Sequence, residues 1–244
     1  MERESDFLFE KHIRCPICDT TFGTKVVRAS KLRRLQPDFD LRPRFRDIDT
    51  LKYDVYACPK CGYAAISRSF EHLSKGQIML VKENICANFT PSSREDPDFY
   101  DYETAIARYN QALQCAKVKR AKISELAYTC LKISWLYRSM GDEAPDGGAE
   151  QKAKARKKQE EYYKAAYDGF QKALATEDFP ICGMDTFTLD YLLACLACNF
   201  KEYGFASKAV SNILGSQIAD RRMKDRALDL KQEIVAKIRE TSTK

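Results

Sequence analysis

The chain has 244 residues, 44% of them hydrophobic and 31% charged, which excludes a disordered polymer and allows one large domain or two small ones. A formal net charge of +6 permits contact with nucleic acid without demanding it. No apolar run approaches the roughly 18 residues needed to cross a bilayer, and the charged start MERESDFLFEKHIRCP lacks a signal-peptide core, so a cytoplasmic location without membrane contact is expected. In that compartment the ten cysteines are expected as thiols or metal ligands, not disulfides.

Residues 1–70 read as one region. They hold two matched pairs, Cys15-Pro-Ile-Cys18 and Cys58-Pro-Lys-Cys61, and two β-type runs, Thr24–Arg28 and Leu51–Tyr56. Two residues between cysteines let both sulfurs face one ion across a tight turn. Proline after the first cysteine of each pair stiffens that turn. Gly62, after the second pair, relieves the backbone so that amide N–H groups can face the sulfurs. Two such knuckles supply four thiolates, a closed tetrahedral set for Zn²⁺. The spacing predicts a zinc ribbon, or rubredoxin-like unit, with Cys15, Cys18, Cys58 and Cys61 as ligands. Four thiolates also suit iron; zinc is preferred as the ion without redox chemistry. With every position filled by protein, the metal is expected to hold the fold and not to catalyse. Redox dithiols and free structural cysteines are the other readings of the pairs.

The insert between the knuckles is long. It carries Arg28, Lys31, Arg33, Arg34, Arg42, Arg44 and Arg46, interleaved with Asp38, Asp40, Asp47 and Asp49. It reads either as a basic surface for a partner or for phosphate, or as a solvated face whose charges pair with one another. Pro37 and Pro43 make it too irregular for a long helix.

After residue 70 the period changes. Ile78, Val81, Ile85 and Phe89 recur at helical steps, and FTPSSREDPDF, residues 89–99, reads as a linker. This gives a connecting segment over 71–98 and a helical domain over 99–244, with breaks near 141–148, near 178–183 and at Gly204. A small–aromatic–small spacing appears as Ala105, Tyr109, Ala112 and returns as Ala166, Phe170, Ala173, then more weakly as Ala209, Ile213, Ser216. Cys130, Ile133, Ser134, Tyr137 and Gly141 fall at the offsets of a preceding helix, as do Leu193, Leu196, Ala197, Phe200 and Gly204. The pattern is that of tetratricopeptide (TPR) helix pairs, in which small residues admit close helices and aromatics fill between them. The segment GDEAPDGGAEQKAKARKKQEE is too long for the regular turn and is expected as a loop running into a charged helix. Its Lys152, Lys154, Arg156, Lys157 and Lys158 suit a solvated helix face, or a nucleic-acid contact. Cys195 and Cys198 fit core packing. His12 and His72 sit among polar neighbours and fall in no nucleophile motif.

The stretches CPICDTTFGTKVVRASKLR and DFDLRPRFRDIDTLKYDVYACPKCGYAA, followed by helices, resemble a bacterial family of unknown function. Its members look like a rubredoxin-like zinc ribbon followed by TPR-like helices. The resemblance is close over the N-terminal third and loose beyond it. It implies Cys15, Cys18, Cys58 and Cys61 as metal ligands and a bacterial cytoplasmic setting, and it brings no activity.

The expected class is therefore α+β, mostly α: a small zinc-ribbon β unit followed by a TPR-like antiparallel helical array. The expected function is non-catalytic, a zinc-binding scaffold or adaptor that holds a protein or peptide partner in a helical groove. A nucleic-acid-associated regulator using the basic ribbon surface is the alternative, and a thiol-redox protein or enzyme is a third.

Overall fold

The computed structural model describes residues 3–91, 96–144 and 148–242. The centres of the expected 89–99 linker and of the loop before the charged helix, residues 92–95 and 145–147, lie outside the described residues. The chain forms two compact units, one of Met1–Gln36 and Pro43–Ala166, the other of Pro37–Arg42 and Tyr167–Lys244.

The first unit begins with an antiparallel hairpin. β1 (Leu8–Arg14) pairs with β2 (Thr21–Val27), in register from Leu8↔Val27 to Arg14↔Thr21. Ile13 and Phe22 face each other across it and are buried, so one face is sealed while Glu10, Lys11 and His12 stay in water. A second, shorter hairpin joins β3 (Val55–Ala57) to β4 (Ala64–Ile66). The expected strand over Leu51–Tyr56 starts late, because Thr50–Tyr53 close into a 3-10 turn whose first free amide, Leu51 N–H, donates to Asp49 Oδ1 at 3.1 Å. β1 lies in a stretch where charge obscured the alternation.

Helices follow. α1 (Lys75–Asn84) starts with a capping box, in which Gln77 N–H donates to Ser74 Oγ and the Gln77 side chain accepts from Ser74 N–H. A 3-10 turn, Cys86–Asn88, then carries Phe89 away. α2 (Tyr102–Val118) is capped by Asp101, which accepts from Thr104 N–H at 2.7 Å. The hydrogen bonds from both Thr104 donors hold the Asp101 carboxyl below the usual range. α2 ends in a tight turn with Arg120 at φ 52°, a break the periodicity did not mark, and α3 (Ile123–Asp142) returns antiparallel to it. The inward face of α2 is Ala105, Tyr109, Ala112 and Cys115, none more than 2% exposed. It lies on β3 and β4: Tyr109 donates through its hydroxyl to Leu51 O at 3.1 Å, and Arg108 Nη2 donates to Val55 O at 3.2 Å. On α3, the buried Lys132 ammonium pairs with Asp54, whose other oxygen accepts from Ser67 Oγ. Phe7, Leu8, Ile48, Tyr53 and Tyr100 form a core cluster beside these contacts.

α4 (Ala149–Thr176) contributes its residues to Ala166 to the first unit and the rest to the second. The second unit is otherwise α5 (Thr186–Asn199), α6 (Tyr203–Gly215) and α7 (Arg221–Ser242). α5 is apolar nearly all round and buried without interruption from Tyr191 to Cys198, as a central helix must be. Tyr167 stacks on Phe200 and meets Phe205 edge-on. Cys195 and Cys198 are each 3% exposed within this core. Residues 37–42 form a turn in the same unit, closed by Asp38 N–H to Arg42 O; Tyr191 and Cys195 both donate to Phe39 O. Gly204 does not break a helix. The reversal falls at Lys201, φ 62°, and Gly204 lies in the first turn of α6. Ser216 stands just past α6, where its hydroxyl accepts from Ile218 and Ala219 N–H. The architecture is α+β and mostly α, with seven α-helices among the described residues. None of them is long and apolar enough to cross a membrane.

Candidate metal centre

The two knuckles are built alike. In the first, Cys15 N–H donates to Thr20 O and Asp19 N–H to Cys15 O, with Asp19 at φ 60°. In the second, Cys58 N–H donates to Tyr63 O and Gly62 N–H to Cys58 O, with Gly62 at φ 76°. Each loop needs one left-handed residue to bring its second sulfur beside the first. Aspartate fills that place in one knuckle and glycine in the other, two of the residue types that tolerate it.

The hairpins carrying the knuckles bring all four sulfurs to one point. Cys15 Sγ lies 3.6 Å from Cys61 Sγ, Cys18 Sγ lies 3.6 Å from Cys58 Sγ, and all four lie within 4.8 Å of one another. A tetrahedron with Zn–S bonds near 2.3 Å has sulfur edges of about 3.8 Å. The donor set therefore fits one four-coordinate ion, and Cys15, Cys18, Cys58 and Cys61 can hold a metal. Cys15, Cys58 and Cys61 are buried and Cys18 is half-buried.

The electrostatics point the same way. S–H donors from Cys15 and Cys61, with the amides of Cys61 and Lys60, push the Cys58 thiol down to about 2. The Cys58 sulfur in turn is the largest cause pushing Cys15 up, to about 12, and Cys15 is the largest cause raising Cys61. A thiolate so favoured suppresses ionisation of its neighbours, and four thiolates at this distance need a cation among them.

Several residues at the centre carried no spacing signal in the sequence. Cys115, on α2, accepts from Ala64 N–H at 3.4 Å and donates to Gly62 O at 3.7 Å. Gln111, one turn earlier on α2, donates to the same Gly62 carbonyl at 2.6 Å. The half-buried Cys86 has Cys61 as hydrogen-bond partner and Cys18 and Cys58 nearby, while burial raises its thiol. Phe89 covers Gly62 so closely that a Cβ there would stand 2.4 Å from Phe89 Cδ2. These contacts come from elements as far as 53 residues downstream, and only the fold delivers them. They make the second knuckle part of the α2 packing surface.

Gly62→Val is therefore expected to destabilise the metal-loaded protein by about 2 kcal/mol or more, from left-handed strain plus the clash. Gly76→Ala is the comparison. Nothing lies within 4 Å of the added methyl in the first turn of α1, so it should be neutral or slightly stabilising. Urea midpoints on the two variants check this; equal midpoints would remove Gly62 from the account.

The other candidates lie elsewhere. His12 is exposed and pairs with Glu10 at 3.3 Å on β1, and His72 is exposed, so neither supports the knuckles. Lys158 and Arg156 pair with Glu161 and Glu160 along the exposed face of α4. Arg28 donates to Leu8 O and lies 5.4 Å from the Phe9 ring; Lys31 lies 5.8 Å from the Phe7 ring. Arg33, Arg34 and Arg46 are exposed and Arg44 is half-buried. Arg42 departs from the expected surface set. It is 4% exposed and ion-paired with Asp38 in the 37–42 turn, because that turn folds inward in the second unit.

Residues 8–234 match the model of a family described as uncharacterized protein conserved in bacteria (DUF2225), and the chain belongs to that family. No curated protein and no solved structure matches the chain.

Proposed function

We propose that this member of a bacterial family is a non-catalytic adaptor, in which a structural zinc ion holds the ribbon and TPR-like helix pairs receive a protein partner. The observation that carries the reading is the closed sulfur tetrahedron. Four protein ligands leave no position for water or substrate, which suits a structural ion better than a catalytic one. Zinc suits it better than iron because nothing the ribbon must do as a clamp requires electron transfer. The helical part supports the second half of the reading. Ala105, Tyr109 and Ala112 are buried on α2, Ala166, Phe170 and Ala173 on α4, and Ala209 and Ile213 on α6, the small–aromatic–small packing of TPR-type second helices. In arrays of TPR type, stacked helix pairs offer a concave face to a peptide or a helix.

Cross-linking mass spectrometry on complexes purified from a nuclease-treated bacterial lysate tests the reading. The adaptor predicts cross-links from one protein partner concentrated on α2–α7. Cross-links confined to residues 8–66, or loss of every partner on nuclease treatment, would contradict it.

A further inference from the structure

The first unit holds a cavity of about 280 Å³, where the first hairpin, the insert and α3 meet. Val26 and Val27 of β2, Leu32, Pro43 and Phe45 of the insert, and Leu51 of the 50–53 turn give it apolar walls. All of these but Leu51 are half-buried, so the walls run from the core to the mouth. Asp54, Ser67 and Lys132 line it as well.

These three polar residues are tied to one another. Lys132 reaches the cavity from α3 with its side chain only 9% exposed, and its ammonium pairs with Asp54. The other carboxylate oxygen of Asp54 accepts from Ser67 Oγ at 2.6 Å, so both are engaged. An ammonium carries three N–H donors. Asp54 takes one, and the Tyr128 ring stands 4.7 Å from Nζ as a cation–π partner. That leaves at least one N–H of a buried ammonium without an oxygen among the described residues. A buried donor gains most from being filled.

We propose that this cavity binds an uncharged small molecule made of an apolar ring or chain and a carbonyl group. The carbonyl oxygen accepts the spare Lys132 N–H, and the apolar part lies against Val26, Val27, Leu32 and Phe45. Charge decides the class of ligand. The Lys132–Asp54 pair is neutral as a unit. A carboxylate ligand would set two anions against one ammonium, and an amine would set two cations against a carboxylate whose oxygens are already engaged. Either leaves an uncompensated charge in a place poor in water. A neutral acceptor leaves none. Size decides the rest. A cavity of about 150 Å³ takes benzene, so nearly twice that volume takes a ring with a short carbonyl-bearing tail. The site stands apart from the adaptor reading and does not depend on it.

Amide proton–nitrogen NMR spectra of the metal-loaded full chain test it, with three related probes: hydrocinnamamide, its carboxylate isostere hydrocinnamate, and phenylpropylammonium. The amide is expected to bind with a Kd of about 1 mM or tighter and to shift the signals of residues 26–27, 51–54 and 67. The two charged probes should bind about tenfold more weakly or not at all. Leu32→Trp, which fills the cavity from the insert, should abolish the shifts. Lys132→Met with Asp54→Asn removes both charges together, so neither is left buried alone. In that variant the preference for the amide over hydrocinnamate should fall to about twofold or less. The spectra of both variants report directly whether they fold. No shift with the amide at about 5 mM, or shifts confined to other parts of the chain, overturns the proposal. Hydrocinnamate binding as tightly as the amide overturns it too, as does an unchanged preference in the double variant.

Discussion

Cys58→Ser, or stripping the metal with a chelator, will unfold the ribbon and loosen the helix packed against it. The ribbon has little core of its own. β3 and β4 are three residues each, and their connection is the second knuckle itself. Structural zinc in small modules contributes on the order of 10–16 kcal/mol of apparent binding energy, more than the whole stability of a typical domain at about 5–15 kcal/mol. Serine is a poor substitute, since its hydroxyl does not ionise near neutral pH. The disturbance should not stop at the sulfurs. Gly62 O and Ala64 N–H, which meet Gln111 and Cys115, move with the knuckle. Hydrogen exchange should therefore rise over β1–β4 and over residues 109–116 of α2 together. Cys198→Ser, in the second unit, should keep its metal and its ribbon protection. Retained metal and unchanged exchange in Cys58→Ser would mean that the ribbon does not depend on the ion.

Tyr109→Ala is expected to cost about 3–5 kcal/mol, the range for emptying a buried aromatic site. The ring is fully buried, and its hydroxyl is the link from α2 to Leu51 O in the 3-10 turn. Tyr109→Phe separates the two contributions. It keeps the ring and leaves the Leu51 carbonyl without that donor, for a loss of about 1–2 kcal/mol. Denaturant unfolding of the metal-loaded variants measures both. A loss below about 1 kcal/mol for the alanine variant would show that α2 is not seated on the ribbon through this residue.

The cluster of Cys15, Cys18, Cys58 and Cys61 was legible because its information is local. A Cys-x-x-Cys turn with proline and a left-handed residue declares its geometry within five or six residues, and two of them declare a tetrahedron. The helices were legible for the same reason, through the period of residues such as Ala105, Tyr109 and Ala112. Short elements and reversals were not. β1 hid behind the exposed Glu10, Lys11 and His12, which precede the buried Ile13. The turns at Arg120 and Lys201 use non-glycine residues at positive φ, so no glycine marked them. Gly204, which seemed to mark one, sits inside a helix. Cys86, Gln111 and Cys115 gave no sign of the metal centre because they reach it only through tertiary packing. The aspartates of the insert were legible as partners for its arginines. Within the 37–42 turn they do pair, Asp38 with Arg42, and that turn packs in the second unit.

The most direct test of the central claim is X-ray absorption at the metal edge, on protein purified without added metal and assayed for metal content. The account predicts one zinc per chain in a shell of four sulfurs at about 2.3 Å. Iron in that shell, a mixed shell with nitrogen or oxygen ligands, or less than stoichiometric metal would contradict it.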